Sequence, residues 1–130
     1  MTTILGSCVS VCLFDDTLGA GGINHYLLPH RTSATTASPR FAGTAIRQLV
    51  DALVGYGCRK ADLRAKVFGG ARVLDAFHDS AFAIGAQNAR VAFELLDAEG
   101  IAVVAQDVGG DRGRKLVFQT DDGVARVAVI

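Results

Sequence analysis

The chain has 130 residues, half of them apolar, and its 13 basic side chains balance its 13 acidic ones. That is enough for one domain, residues 1–130, with a single core, and too apolar for disorder. The even charge gives no electrostatic reason to expect nucleic acid, and the apolar runs, broken by Gly, Asp or Arg, are too short to span a membrane. Arg112, Arg114 and Lys115 read as a solvated loop end rather than a basic patch. Three cysteines, none in a CxxC pair, make no disulfide framework and point to a reducing cytoplasm, where a reactive thiol can persist. Three scattered histidines have no metal-ligand spacing.

In chain order, Cys8–Phe14 is short, β-branched and apolar, a buried strand. Asp15–Leu18 forms a turn, and Gly19–Leu28 a second strand ended by Pro29. His30–Ser38 is a polar loop. Ser38-Pro39 reads as a helix start, with Ser as N-cap and Pro at the first position. Phe41, Ala45, Leu49, Leu53 and Tyr56 then mark one apolar helix face, and Gly57 ends it. Lys66–Phe68 is a short strand running into Gly69-Gly70. A second helix spans Ile84 to Glu99 with Val91, Ala92, Leu95 and Leu96 inward. Ile101–Ala105 is a strand, and Arg114–Gln119 with Val124–Ile130 a hairpin. Hairpins dominate, so the pattern predicts an α+β layered fold with two main helices on mostly antiparallel strands.

The chemistry concentrates at Leu5-Gly6-Ser7-Cys8. Gly6 lets the backbone bend closely around Cys8, and the amides of Ser7 and Cys8 can face a developing oxyanion. On this tetrapeptide alone, Cys8 reads more readily as a buried cysteine opening a strand. A four-residue loop over Asp15–Leu18 would set Phe14 against Gly19, and Cys8 would then face His25. Directly opposed residues stand about 4.5–5.5 Å apart at Cβ, which suits a thiol and an imidazole. An imidazolium beside a thiol lowers its pKa, and the pair supports nucleophilic acyl transfer. Both side chains should lie at the bottom of a narrow surface groove, with Gly21 and Gly22 keeping the wall beside His25 low. His30 and His78 read as solvated. Phe68–Ala71 and Asp107–Gly110 match no phosphate-binding pattern and read as tight turns at the rim of the site.

Leu5-Gly6-Ser7-Cys8-Val9, Gly21-Gly22-Ile23-Asn24-His25 and Leu28-Pro29 resemble the signature of the chemoreceptor glutamine deamidases, the CheD family. The resemblance continues through Ala65–Ala71, Ile84-Gly85 with Asn88, Gly100-Ile101, Asp107–Gly110, Gly113-Arg114 and Phe118. It implies a layered α/β/β fold similar to deamidating bacterial toxins, with Cys8 as nucleophile and His25 as base. It also implies an assisting threonine, Thr2 or Thr3, of which Thr3 is favoured. The implied substrates are glutamines on the cytoplasmic helical domain of chemoreceptors, with receptor glutamyl methyl esters as a second class. No cofactor or metal is implied, and a CheC-type phosphatase is the implied partner. The competing reading is a weakly catalytic or non-catalytic binding partner of that phosphatase. The chain starts close to the motif, which suggests a missing N-terminal strand. Gly43 and Gln87 depart from the family pattern at positions that bear on partner surfaces.

Overall fold

The structure, a computed structural model, describes residues 1–29, 38–72 and 79–130, without the side chains of residues 79–83. His30 and His78 lie outside the described residues. The strands are β1 (Thr2–Leu5), β2 (Val9–Asp15), β3 (Ala20–Ile23), β4 (Arg64–Gly69), β5 (Ala102–Val108), β6 (Arg114–Phe118) and β7 (Ala125–Val129). The helices are α1 (Ala42–Tyr56) and α2 (Asp79–Ala98). One sheet has the order β3-β2-β4-β5 and the other β1-β6-β7. All pairings are antiparallel except β4 with β5, which α2 connects as a crossover. This is the expected α+β architecture. Strand β1, however, was not read from the sequence, because TTIL is too short and too exposed to stand out as a strand.

Two apolar layers hold the fold. The odd residues of β2, Val9, Val11 and Leu13, pack with Ile46, Val50 and Leu53 of α1 and with Val91, Ala92 and Leu96 of α2. The even residues Cys12 and Phe14 pack with Leu5, Phe68, Leu116 and Phe118 between the two sheets. Every residue of β2 is therefore buried, which is why its sequence is an unbroken apolar run rather than an alternation.

Two readings of the first helix need correction. Ser38 does not cap it: Ser38 O accepts the Phe41 N–H at 3.1 Å in a turn, and the helix starts after Phe41 without a side-chain cap. The entry is pinned instead by Ala42 N–H donating to Leu28 O at 3.0 Å. The buried face is also rotated onto Ala42, Ala45, Ile46, Val50 and Leu53, leaving Tyr56 74% exposed. Ile46 and Val50 are one turn apart and meet the sheet, while Leu49 lies at the margin against Gly22.

Candidate active site

The turn after β2 sets the register of the first hairpin. Asp15 Oδ1 accepts the N–H groups of Thr17 and Leu18 at 2.9 and 3.2 Å, and Asp15 O accepts Gly19 N–H at 2.9 Å. This draws Asp15 into the ladder opposite Ala20, so Phe14 faces Gly21 and Cys12 faces Ile23. The expected pairing of Phe14 with Gly19, and hence of Cys8 with His25, is displaced by two residues. Asn24 N–H donates to Val11 O at 3.1 Å, and Val9 and Tyr26 exchange both backbone bonds, which continues the shifted register. His25 therefore stands opposite Ser10, one step inward from Cys8. A two-residue slip keeps every side chain on its face, whereas a one-residue slip would have separated the pair. Diagonal neighbours on one face lie about 7–8 Å apart, within reach of a ring side chain.

That face looks toward the second sheet. Cys8 packs at the margin of the cluster formed by Leu5, Cys12 and Phe68. Alternation along β1 turns Leu5 inward, and Thr3 with it, while Thr2 and Ile4 are exposed. Thr3 Oγ1 lies 2.8 Å from His25 Nδ1, a hydrogen bond that joins the two sheets. Of the two threonines considered, Thr3 is the one brought to His25.

Burial raises the Cys8 thiol pKa above 9.0, offset in part by a hydrogen bond to its own backbone. Burial likewise lowers His25 below 6.5. Burial therefore favours the neutral form of each group, the opposite of the direction expected from proximity alone.

The loop before β2 is held from three sides. Gly6 O accepts Ala71 N–H at 2.9 Å, and Cys8 O accepts Gly70 N–H at 2.8 Å. Between them, Ser7 O accepts Asn88 Nδ2 at 3.0 Å, and the same nitrogen donates to Leu27 O at 3.0 Å. Gly69 and Gly70 have positive φ, 109° and 67°, and a Cβ on Gly69 would fall 2.2 Å from Cys8 O. The turn expected at the rim thus passes directly beneath the cysteine, where only glycine fits.

Comparison with known proteins gives the family. The family described as "CheD chemotactic sensory transduction" matches residues 27–129. The chain belongs to the CheD family. It is 50% identical over 127 residues to a protein of Anaeromyxobacter dehalogenans (strain 2CP-C) named probable chemoreceptor glutamine deamidase CheD 1, covering 98% of this chain and 73% of that one. A protein of Trichlorobacter lovleyi (strain ATCC BAA-1151 / DSM 17278 / SZ), named probable chemoreceptor glutamine deamidase CheD, is 44% identical over 124 residues, covering 95% and 76%. One of Sulfurimonas denitrificans (strain ATCC 33889 / DSM 1251) with the same name is 40% identical over 121 residues, covering 93% and 78%.

Other expectations about the site are revised by this CheD chain. A cleft of about 330 Å³ reaches His25 between β3 and α1, lined also by Asn24, Pro39, Gln48 and Leu49, and Cys8 is not on its wall. Gly21 and Gly22 do not flank that cleft. A Cβ on Gly21 would lie 2.7 Å from Thr120 O, and one on Gly22 2.6 Å from Leu49 Cδ1, so both glycines serve close packing of β3. Arg114 is 6% exposed rather than solvated: its guanidinium binds Asp107 and the carbonyl of Gly109, tying β6 to the end of β5. Among the described residues no group of His, Cys, Asp and Glu is arranged to hold a metal, and no helix is long and apolar enough to cross a membrane. Sequence reasoning placed Asn88 only within the family pattern. The signal available was a polar residue at core spacing with Val91 and Ala92, and it is fully buried.

Proposed function

We propose that this chain is a protein-glutamine deamidase acting on chemoreceptors, with Cys8 as nucleophile, His25 as base and Thr3 as the group that orients the base. The observation that carries the reading is the hydrogen bond between Thr3 Oγ1 and His25 Nδ1 on the face that also bears Cys8. The names of its relatives supply the substrate class.

With Nδ1 donating its hydrogen to Thr3, Nε2 carries the lone pair and serves as base. Nε2 takes the Cys8 proton as Sγ bonds to the carboxamide carbon. The carbonyl electrons move to oxygen, where the Cys8 and Ser7 N–H groups are available: among the described residues neither donates to another residue, and the Cys8 N–H lies beside its own sulfur. The intermediate collapses, its C–N bond breaks, and Nε2–H protonates the departing nitrogen to give ammonia. Nε2 then takes a proton from water, which attacks the Cys8 thioester. The product is glutamate, and the proton returns to Sγ. A glutamyl methyl ester enters the same thioester with methanol leaving in place of ammonia. No step calls for a metal or a cofactor.

Ammonia release from a purified chemoreceptor cytoplasmic fragment tests the reading. Release by the wild type that disappears in Cys8→Ala is expected. A folded wild type that binds the fragment and releases neither ammonia nor, from a methylated fragment, methanol would instead establish the binding-module reading.

A further inference from the structure

We propose that Asn88 is a positioning residue for catalysis, orienting the Cys8 amide toward the oxyanion by holding the carbonyl of Ser7. The inference rests on the assignment of Cys8 as nucleophile.

Ser7 C=O and Cys8 N–H belong to one peptide group. Among the described residues there is no cis peptide bond, so the two point in opposite directions. Asn88 stands on α2 and draws Ser7 O toward the helix layer. Cys8 N–H is thereby turned away from α2, on the side of its own thiol, and among the described residues no other residue accepts it. Its neighbours in the loop are bonded: Gly6 O and Cys8 O are held by Ala71 and Gly70, and Val9 N–H by Tyr26 O at 3.2 Å. The loop carbonyls from Gly6 to Cys8 are all tied, while the Cys8 N–H beside the nucleophile donates to no other described residue, and a donor so placed is the arrangement that oxyanion stabilisation requires. Of the three groups that hold the loop carbonyls, Asn88 alone is a side chain.

The amide is in turn fixed. Both Nδ2 hydrogens are committed, one to Ser7 O and one to Leu27 O, and a flipped amide would set oxygen against two carbonyls. Leu27 follows His25 by two residues, so one nitrogen ties the backbone of the nucleophile to that of the base. Asn88 O accepts the Tyr26 hydroxyl at 2.6 Å, which anchors α2 at this turn. Asn88 Oδ1 is buried and has no partner among the described residues.

The test separates acyl chemistry from thiol reactivity in three variants. Deamidation builds an oxyanion, whereas alkylation of Cys8 by iodoacetamide displaces iodide and builds none. Asn88→Ala should lower kcat on the receptor fragment about 10- to 100-fold, since a misplaced donor loses much of its effect. KM and the Cys8 alkylation rate should stay within about twofold. Tyr26→Phe removes a buried hydrogen bond at the same helical turn without touching Ser7. It should lower the melting temperature and leave kcat nearly unchanged. Asn88→Ala with wild-type kcat would overturn the proposal, as would equal kcat losses in Asn88→Ala and Tyr26→Phe. Activity persisting in Cys8→Ala would instead overturn the underlying assignment. Should Asn88→Ala fail to fold, amide exchange in the wild type decides: Cys8 N–H is expected to exchange far faster than Val9 N–H, and equal protection contradicts the proposal.

Discussion

Cys8 and Cys12 lie four residues apart on the same face of the same stretch of chain, yet their surroundings are opposite. Cys12 is fully buried between the sheets among Phe14, Phe68, Leu116 and Phe118, and burial pushes its pKa up to about 12. Cys8 stands half-buried at the mouth of the same layer, beside a loop whose amides are open and one register step from a histidine bonded to Thr3. Residue type and strand face are shared. What differs is how far the second sheet extends over each thiol.

Exchanging the two thiols in turn breaks the comparison most severely. Cys8→Ala is expected to leave no measurable ammonia release, a loss of at least about 10³-fold, while Cys12→Ala retains turnover. Next, His25→Ala should lose about 10²–10⁴-fold in kcat, the usual worth of a positioned general base. Thr3→Val removes only the orienting hydrogen bond and should cost about 10- to 100-fold, with Thr3→Ser recovering most of it. Wild-type activity in Thr3→Val would make that bond incidental.

The pH dependence sharpens the contrast. The competent state needs a neutral imidazole and an intact thiol before substrate binds. Burial holds His25 below 6.5 and Cys8 above 9.0, so kcat/KM should be flat through neutral pH. It should fall on an acid limb below 6.5 as His25 gains a proton, and on an alkaline limb above 9.0 as Cys8 loses one. Iodoacetamide should modify Cys8 before Cys12 and Cys58 because it is the most accessible thiol, at a rate that climbs toward pH 9 and beyond. Rapid alkylation already complete at pH 6 would instead reveal a resting thiolate–imidazolium pair. The smallest effect is on stability: Cys12→Ala leaves a small void between the sheets and should cost about 1–2 kcal/mol by denaturant titration.

Much of this was legible in the sequence for identifiable reasons. Runs such as CVSVCLF and the i, i+4 spacing of α2 are governed by burial, which periodicity reports directly. That Cys8 and His25 share one face was legible because they flank a single hairpin, and a two-residue error in register leaves both on that face. The register itself was not, because it depends on the Asp15 side chain closing the turn, a tertiary choice that loop length does not encode. Strand β1 was hidden for a related reason: four residues become a strand only by pairing with β6, more than a hundred residues away. Asn88 joins Ser7 and Leu27 across 81 and 61 residues, and nothing local to α2 marks those contacts.

The central claim is that the acyl group passes through Cys8. It is tested most directly by running the reaction on a chemoreceptor fragment with hydroxylamine present, alongside acid-quenched samples digested for mass spectrometry. The account predicts a receptor-derived acyl adduct on the peptide carrying Cys8, and glutamyl hydroxamate in place of glutamate at the target position. Turnover with the adduct on Cys12 or Cys58, or glutamate formed with neither a Cys8 adduct nor any hydroxamate, would contradict it.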